Sequence, residues 1–424
     1  MKVSLAFGKT GLIADIPDKN LVKVMTMQDA PPLPDPSATL REMLIHPLGS
    51  PALADMARGK ATACVVISDI TRPVPNSILL PPILETLERS GIRRGAITIL
   101  VATGLHRAST PEETRQMVGE TIMAQYRIVD HHARAMEEQE YLGETARGTP
   151  VYIDRIYCRA ELRITTAFIE PHLMAGFSGG RKLVAPGCAG ELTIKALHSP
   201  TFLEDPHCSE GILDGNPLHA ELLEIARIAG HDFIVNVALD QSHRITGMFA
   251  GDPQEAHARG VAFVRSTVRC TLDAPADMVV TTSAGYPLDL TYYQAIKGMT
   301  AALPVVKEGG MLILVAECAE GLGSEEFTRM AISFPNAQNF IAGILEHPVV
   351  IDQWQLEECA RAARKASVIL VSPRIAREHR DSLFVRVAET LDEALREGFR
   401  KLGPGATVAV IPKGPYTLVE LEAN

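Results

Sequence analysis

The chain has 424 residues, 46% of them hydrophobic and 22% charged, with a formal net charge of −10 at pH 7. That is enough for two domains with sizeable cores, and too acidic for the basic face that a nucleic-acid partner requires. No apolar run is long enough to span a bilayer and the seven cysteines are scattered without a Cys-x-x-Cys pair; with no long apolar stretch among the first twenty residues, a soluble, reduced, cytoplasmic protein is expected.

Residues 2–7 and 21–25 read as short extended pieces, followed by a proline-rich connection and a helix beginning near residue 40. Residues 63–68 (ACVVIS) are β-branched and apolar and predict a buried strand. A helix over 78–89 ends at Ser90-Gly91, and residues 96–102 give the next strand. Thr110-Pro111-Glu112-Glu113 is a capping box with proline at the first helical position. Strands are expected at 151–153, 163–169 and 232–239, with helices at 217–228 and 253–266. Near residue 271 a new series begins. Strands at 277–282, 310–316, 368–371 and 406–411 alternate with a helix carrying Tyr292 to Met299 and helices at 353–365 and 391–401. This alternation predicts the α/β class, with two domains of largely parallel sheet over 1–270 and 271–424. The last residues are free to pack back on the first domain.

Residues 167–198, AFIEPHLMAGFSGGRKLVAPGCAGELTIKALH, concentrate chemistry. An apolar run leads to His172, then to a loop with Gly176, Gly179 and Gly180, then to Arg181 and Lys182, and a second apolar run delivers His198. Clustered glycines let a backbone approach a ligand, and the basic pair favours an anion. The loop is neither a Walker A sequence nor the dinucleotide glycine pattern, so by itself it equally describes a surface turn.

Similar residues recur just after other predicted strands: Asp69 and Arg72, His106, and Tyr286 with Asp289 ahead of Gln294 and Lys297. Parallel α/β sheets bind ligands beyond the carboxyl ends of their strands. Two histidines so placed form a candidate acid–base pair, each able to give or take a proton near neutral pH. Arg72 and Lys297 suit a carboxylate, Lys182 suits a nucleophile or covalent tether, and His198 suits a metal through one ring nitrogen. His131-His132 lacks a third ligand at a recognisable spacing.

With SDITRPVP at 68–75, ATGLHR at 102–107, EPHLMAGFSGGRKLVAPG at 170–187, ALH at 196–198, FAGDPQEAH at 249–257 and SAGYPLDLTYYQAIKGM at 283–299, the chain resembles the lactate racemase family over nearly its whole length. The resemblance implies two α/β domains with the site between them. It also implies a nickel-pincer nucleotide, a pyridinium mononucleotide bearing nickel, tethered covalently at Lys182. His198 would be the protein ligand to the metal, and His106 and His172 the two catalytic bases. Asp69, Ile70, Thr71 and Arg72 would contact the cofactor, as would Ser178, Gly179 and Gly180, with the 179–181 backbone cradling its phosphate. Arg72, Tyr293, Gln294 and Lys297 would surround the substrate carboxylate. The implied reaction inverts C2 of a 2-hydroxy acid by hydride transfer through a 2-keto acid, and the implied partners are the substrate and the proteins that build the cofactor. Other readings are a longer substrate (malate, an aromatic hydroxy acid or a sugar acid), a zinc hydrolase using His106, His172 and Asp69, and a non-catalytic carboxylate- or nucleotide-binding protein.

Overall fold

Every residue of the Ala63–Ser68 strand is buried, as its unbroken apolar run requires of a strand covered on both faces. The computed structural model describes residues 1–28 and 30–422. Ala63–Ser68 lies inside a six-stranded sheet ordered Ile245–Gly251, Phe233–Leu239, Leu162–Phe168, Ala63–Ser68, Ile97–Ala102 and Arg127–Asp130. All pairings in this sheet are parallel except that of the edge strand Ile245–Gly251, which runs antiparallel to Phe233–Leu239. The capping box forms as expected: Thr110 accepts from the Glu113 N–H, and Glu113 accepts from the Thr110 N–H.

A second six-stranded sheet is ordered Arg386–Ala388, Ser367–Val371, Val306–Val315, Ala276–Thr282, Val408–Ile411 and Leu21–Val24, parallel throughout. The α/β class with largely parallel sheets is therefore observed. Residues 1–25, assigned above to the first domain, require a correction. Leu21–Val24 pairs with Val408–Ile411, and Val3, Leu5, Ala14 and Ile16 share a core with Met278, Ile313 and Val410. The reason is physical: a strand of four residues does not specify its neighbour, and here Leu21–Val24 covers an edge that would otherwise be open.

The two sheets are stitched together at the other end of the chain as well. Leu418–Leu421 pairs with Arg269–Leu272, and Leu418 packs with Ile169 and Phe177 of the first body. Arg265 and Arg269 both hold the Glu420 carboxylate at 2.6 Å. Among the described residues no helix is long and apolar enough to cross a membrane.

Candidate active site

The loops beyond Ala63–Ser68, Leu162–Phe168 and Val408–Ile411 and the helix Tyr292–Ala302 meet at a cleft of roughly 600 Å³, its open mouth included. Thr71, Arg72, Glu170, His172, Glu210, Lys297 and Tyr416 supply its polar lining. Phe168, Leu173 and Leu288 are among its apolar walls.

Asp69 and His106 arrive from adjacent strands. Asp69 is buried, and its Oδ2 lies 2.7 Å from His106 Nδ1 while Oδ1 accepts from the Thr71 hydroxyl. Burial works to raise this carboxyl. The hydrogen bond and charge of His106, the Thr71 hydroxyl and the Arg72 charge outweigh it and hold Asp69 below the usual carboxylate range. With Nδ1–H committed to a carboxylate, His106 keeps an Nε2 lone pair for a proton. The turn is closed by Arg72 N–H donating to Asp69 O, and Ile70 packs on the first core. Arg72 Nε stands 4.0 Å from Glu170.

His172 sits on a hairpin in which it pairs with Gly176. Its Nδ1 accepts from the N–H groups of Met174 and Ala175 at 3.3 and 3.2 Å. Burial, then the charges of Lys182, Arg72 and Lys297, push its pKa well below the ordinary imidazole value.

Lys182 lies in the short 3-10 helix Gly180–Leu183. Burial and the nearby charges of Arg72, Arg181 and Lys297 push its amine well below the usual lysine value against the pull of Glu170. Among the described residues the amine has no hydrogen-bond or ion-pair partner. An unpartnered amine of lowered basicity exposes a larger share of its neutral, nucleophilic form. His198 ends the helix Glu191–Leu197, where its Nδ1 donates to Ile194 O at 2.8 Å and leaves Nε2 free. Burial takes its pKa down to about 4, so the lone pair is available at neutral pH.

From the second body, Lys297 donates to Gln294 Oε1 at 2.7 Å, and Thr291 caps the helix by accepting from the Gln294 N–H. Burial and Arg72 push the Lys297 amine down to about 8. The Tyr293 hydroxyl accepts from Trp354 Nε1 at 3.2 Å, and the Trp354 ring lies 4.6 Å from the His198 ring. Tyr293, Trp354 and His198 thus form a chain from one body to the other.

Some expectations are not met. Gly180 N–H is taken by Asn236 Oδ1 at 2.9 Å, and Arg181 is buried, donating to Ala175 O with its NH1 3.0 Å from His257. Ser178 accepts from the Glu170 N–H and donates to Phe168 O. The 178–181 stretch is thus bonded into the protein, and its glycines are required by crowding: a Cβ on Gly179 would meet Asn236 at 2.8 Å, and one on Gly180 would meet His257 at 3.0 Å. Asp289 accepts from the Gly8 and Glu317 N–H groups and Tyr286 lies under Lys9, so neither joins the cleft. Among the described residues no three His, Cys, Asp or Glu side chains converge on a metal position, so a zinc site of His106, His172 and Asp69 is not formed. Sequence reasoning missed Glu170, Glu210, Tyr416 and Trp354; only Glu170, two residues before His172, lay within a motif that it singled out.

Residues 7–211 match the family model of the lactate racemase N-terminal domain, and residues 272–419 that of the lactate racemase C-terminal domain.

The chain belongs to the lactate racemase family.

With that family it is an isomerase of the racemase class. It is 34% identical to the lactate racemase of Thermoanaerobacterium thermosaccharolyticum over 98% of this chain and 99% of the relative. It is 37% identical to that of Lactiplantibacillus plantarum over 99% of each. The structure of the Thermoanaerobacterium lactate racemase apoprotein superposes with a TM-score of 0.92, covering 99% of this chain and 100% of that one. A Thermotoga maritima protein, 16% identical over 92% of this chain and 99% of its own, shares the fold with a TM-score of 0.69.

Proposed function

We propose that this protein is a cytoplasmic racemase of a lactate-like 2-hydroxy acid that works with a nickel-pincer nucleotide. The observation that carries the reading is the pair Lys182 and His198: an unpartnered amine of depressed basicity near an imidazole whose Nδ1 is tied to Ile194 O and whose Nε2 is free. This donor set fits the group. Lys182 would carry the covalent tether and His198 the metal, each needing the deprotonated form that its surroundings favour. When held by Lys182 and His198, the cofactor would supply an electron-poor acceptor for the C2 hydrogen as hydride.

The chain's own residues do the rest. Arg72 and Lys297 bind the substrate carboxylate and hold it while C2 is planar; Gln294 fixes the Lys297 amine, and Tyr293 is held by Trp354. His106, oriented by Asp69, takes the hydroxyl proton of one enantiomer, and His172 serves the other. Loss of the hydrogen as hydride with loss of the hydroxyl proton leaves a neutral ketone at C2. Loss as a proton would instead place a carbanion beside a carboxylate. Asp69, Ile70 and Thr71 frame the cofactor. The proteins that build the nucleotide are required partners, so protein made without them lacks it.

The test is intact mass beside a nickel assay on protein from a host that makes the cofactor. A covalent adduct with stoichiometric nickel is expected, and Lys182→Ala removes adduct, nickel and racemisation together. Racemisation retained by Lys182→Ala overturns the reading.

A further inference from the structure

Besides Glu170, which lies 4.0 Å from Arg72, two polar groups in the cleft have no part in the reaction described above. Glu210 lies two residues after the buried Cys208, and Tyr416 ends a short 3-10 turn beyond the Val408–Ile411 strand. Both line the cleft that holds Arg72, His172 and Lys297. Among the described residues neither the Glu210 carboxyl nor the Tyr416 hydroxyl has a hydrogen-bond partner. Arg361, whose charge acts on Glu210, is already engaged: it donates to Cys208 O and Ser209 Oγ and lies 3.5 Å from Glu358. Burial and the neighbouring Glu170 and Glu358 push the Glu210 carboxyl well above its usual range, toward the neutral form that donates a hydrogen bond.

A site that binds only a methyl or alkyl tail has no use for such groups, because an apolar tail would shut them away from water unpaired. The charge count narrows the tail further. Arg72 and Lys297 face Glu170 when the cleft is empty, and one substrate carboxylate brings two cations and two anions together. A second carboxylate would find no free cation in the cleft lining.

We propose that the preferred substrate is a monocarboxylic 2-hydroxy acid whose tail carries a further hydroxyl, held by Glu210 and Tyr416. The proposal rests on the racemase reading and specifies its substrate class.

The probe is an isosteric pair, glycerate and 2-hydroxybutyrate, which differ by a hydroxyl in place of a methyl. They are compared with lactate and malate on the nickel-loaded enzyme by chiral chromatography. Sites built to hydrogen-bond a hydroxyl discriminate strongly against the analogue that lacks it, so kcat/KM for glycerate is expected to exceed that for 2-hydroxybutyrate by about tenfold or more. The Glu210→Leu/Tyr416→Phe double variant is expected to bring that ratio to about one or below, since its polar partners are gone. Glu210→Gln, which still donates, is expected to keep most of the preference. A purely structural role would lower both rates and leave the ratio alone. A wild-type ratio near one, a ratio that the double variant does not move, or malate turned over faster than glycerate each overturns the proposal while the racemase reading stands. If none of the four acids is interconverted, the racemase reading falls and takes this inference with it.

Discussion

The two histidines proposed as bases occupy unlike surroundings. His106 is 55% exposed and shares a 2.7 Å hydrogen bond with a carboxylate held in its ionised form. His172 is half-buried, has no carboxylate partner among the described residues, and receives backbone N–H groups at Nδ1 from within its own hairpin. The neutral ring of His106 therefore offers a lone pair at Nε2, whereas that of His172 carries its proton there. For His172 to take a hydroxyl proton on Nε2, its neutral ring must move that proton to Nδ1 and give up two long contacts, at a cost of about 1 kcal/mol. A residue pair that looks symmetrical on paper is thus tuned differently on each side: one base is oriented by charge, the other kept neutral chiefly by burial, with Arg72 and Lys297 adding positive charge beside it.

The largest effect that tests this contrast comes from Asp69→Asn. It removes the charge that orients His106 and leaves the hairpin of His172 untouched. By analogy with other carboxylate–histidine pairs, kcat is expected to fall by about 10²–10⁴-fold. Enantiomers are equal in energy, so kcat/KM must fall by the same factor in both directions. The inequality of the two histidines shows instead in kcat and KM taken separately, which differ between enantiomers by a common factor. Steady-state kinetics in both directions check this. An unchanged kcat in Asp69→Asn would mean that the carboxylate serves only the turn with Thr71.

A smaller effect separates the carboxylate end of the cleft from the histidines. The Lys297 amine is pushed down to about 8, so it is charged below that pH and neutral above it. KM is expected to rise above pH 8, by up to about tenfold per unit where one proton governs binding, with little change in kcat. Lys297→Arg keeps its charge throughout and is expected to flatten that limb. A limb that persists in Lys297→Arg belongs to another group.

The sheets were readable because their strands are continuous apolar runs: 63–68 coincides with the observed strand, and 232–239 begins one residue early. The antiparallel edge strand Ile245–Gly251 was missed, its ITGMFAG broken by glycines. Helices Glu325–Ser333 and Ala337–Glu346 were missed too, lying between segments of clearer pattern. At the site, residues beside glycines and strand ends stood out, because those positions advertise themselves in one dimension. Trp354, Glu210 and Tyr416 did not. Each reaches the site through packing between distant segments, which no local pattern records. The 178–181 stretch teaches the converse. Its glycines were read as making room for a ligand, yet the observed neighbours are Asn236 and His257.

That last point yields the smallest of the expected effects. The loops that carry the two histidines' regions each contain a glycine of similar left-handed geometry, Gly104 at φ +53° and Gly180 at φ +51°. Alanine at either position meets the same backbone penalty, about 1–2 kcal/mol. The surroundings differ. A Cβ at Gly104 would sit 3.5 Å from Pro186 O, an ordinary contact, whereas one at Gly180 would meet three atoms of the buried His257 at 3.0–3.3 Å. His257 cannot retreat freely, because its Nε2 is 2.8 Å from Ser178 O and 3.0 Å from Arg181. Overpacking of this kind adds about 1–3 kcal/mol. Thermal melts are therefore expected to order wild type above Gly104→Ala and Gly104→Ala above Gly180→Ala, the last step amounting to a few degrees at about 2–4 °C per kcal/mol. If Gly104→Ala proves the more damaging, the crowding against His257 is not what demands glycine beneath Lys182, and the loop must be held open for something that approaches from the cleft.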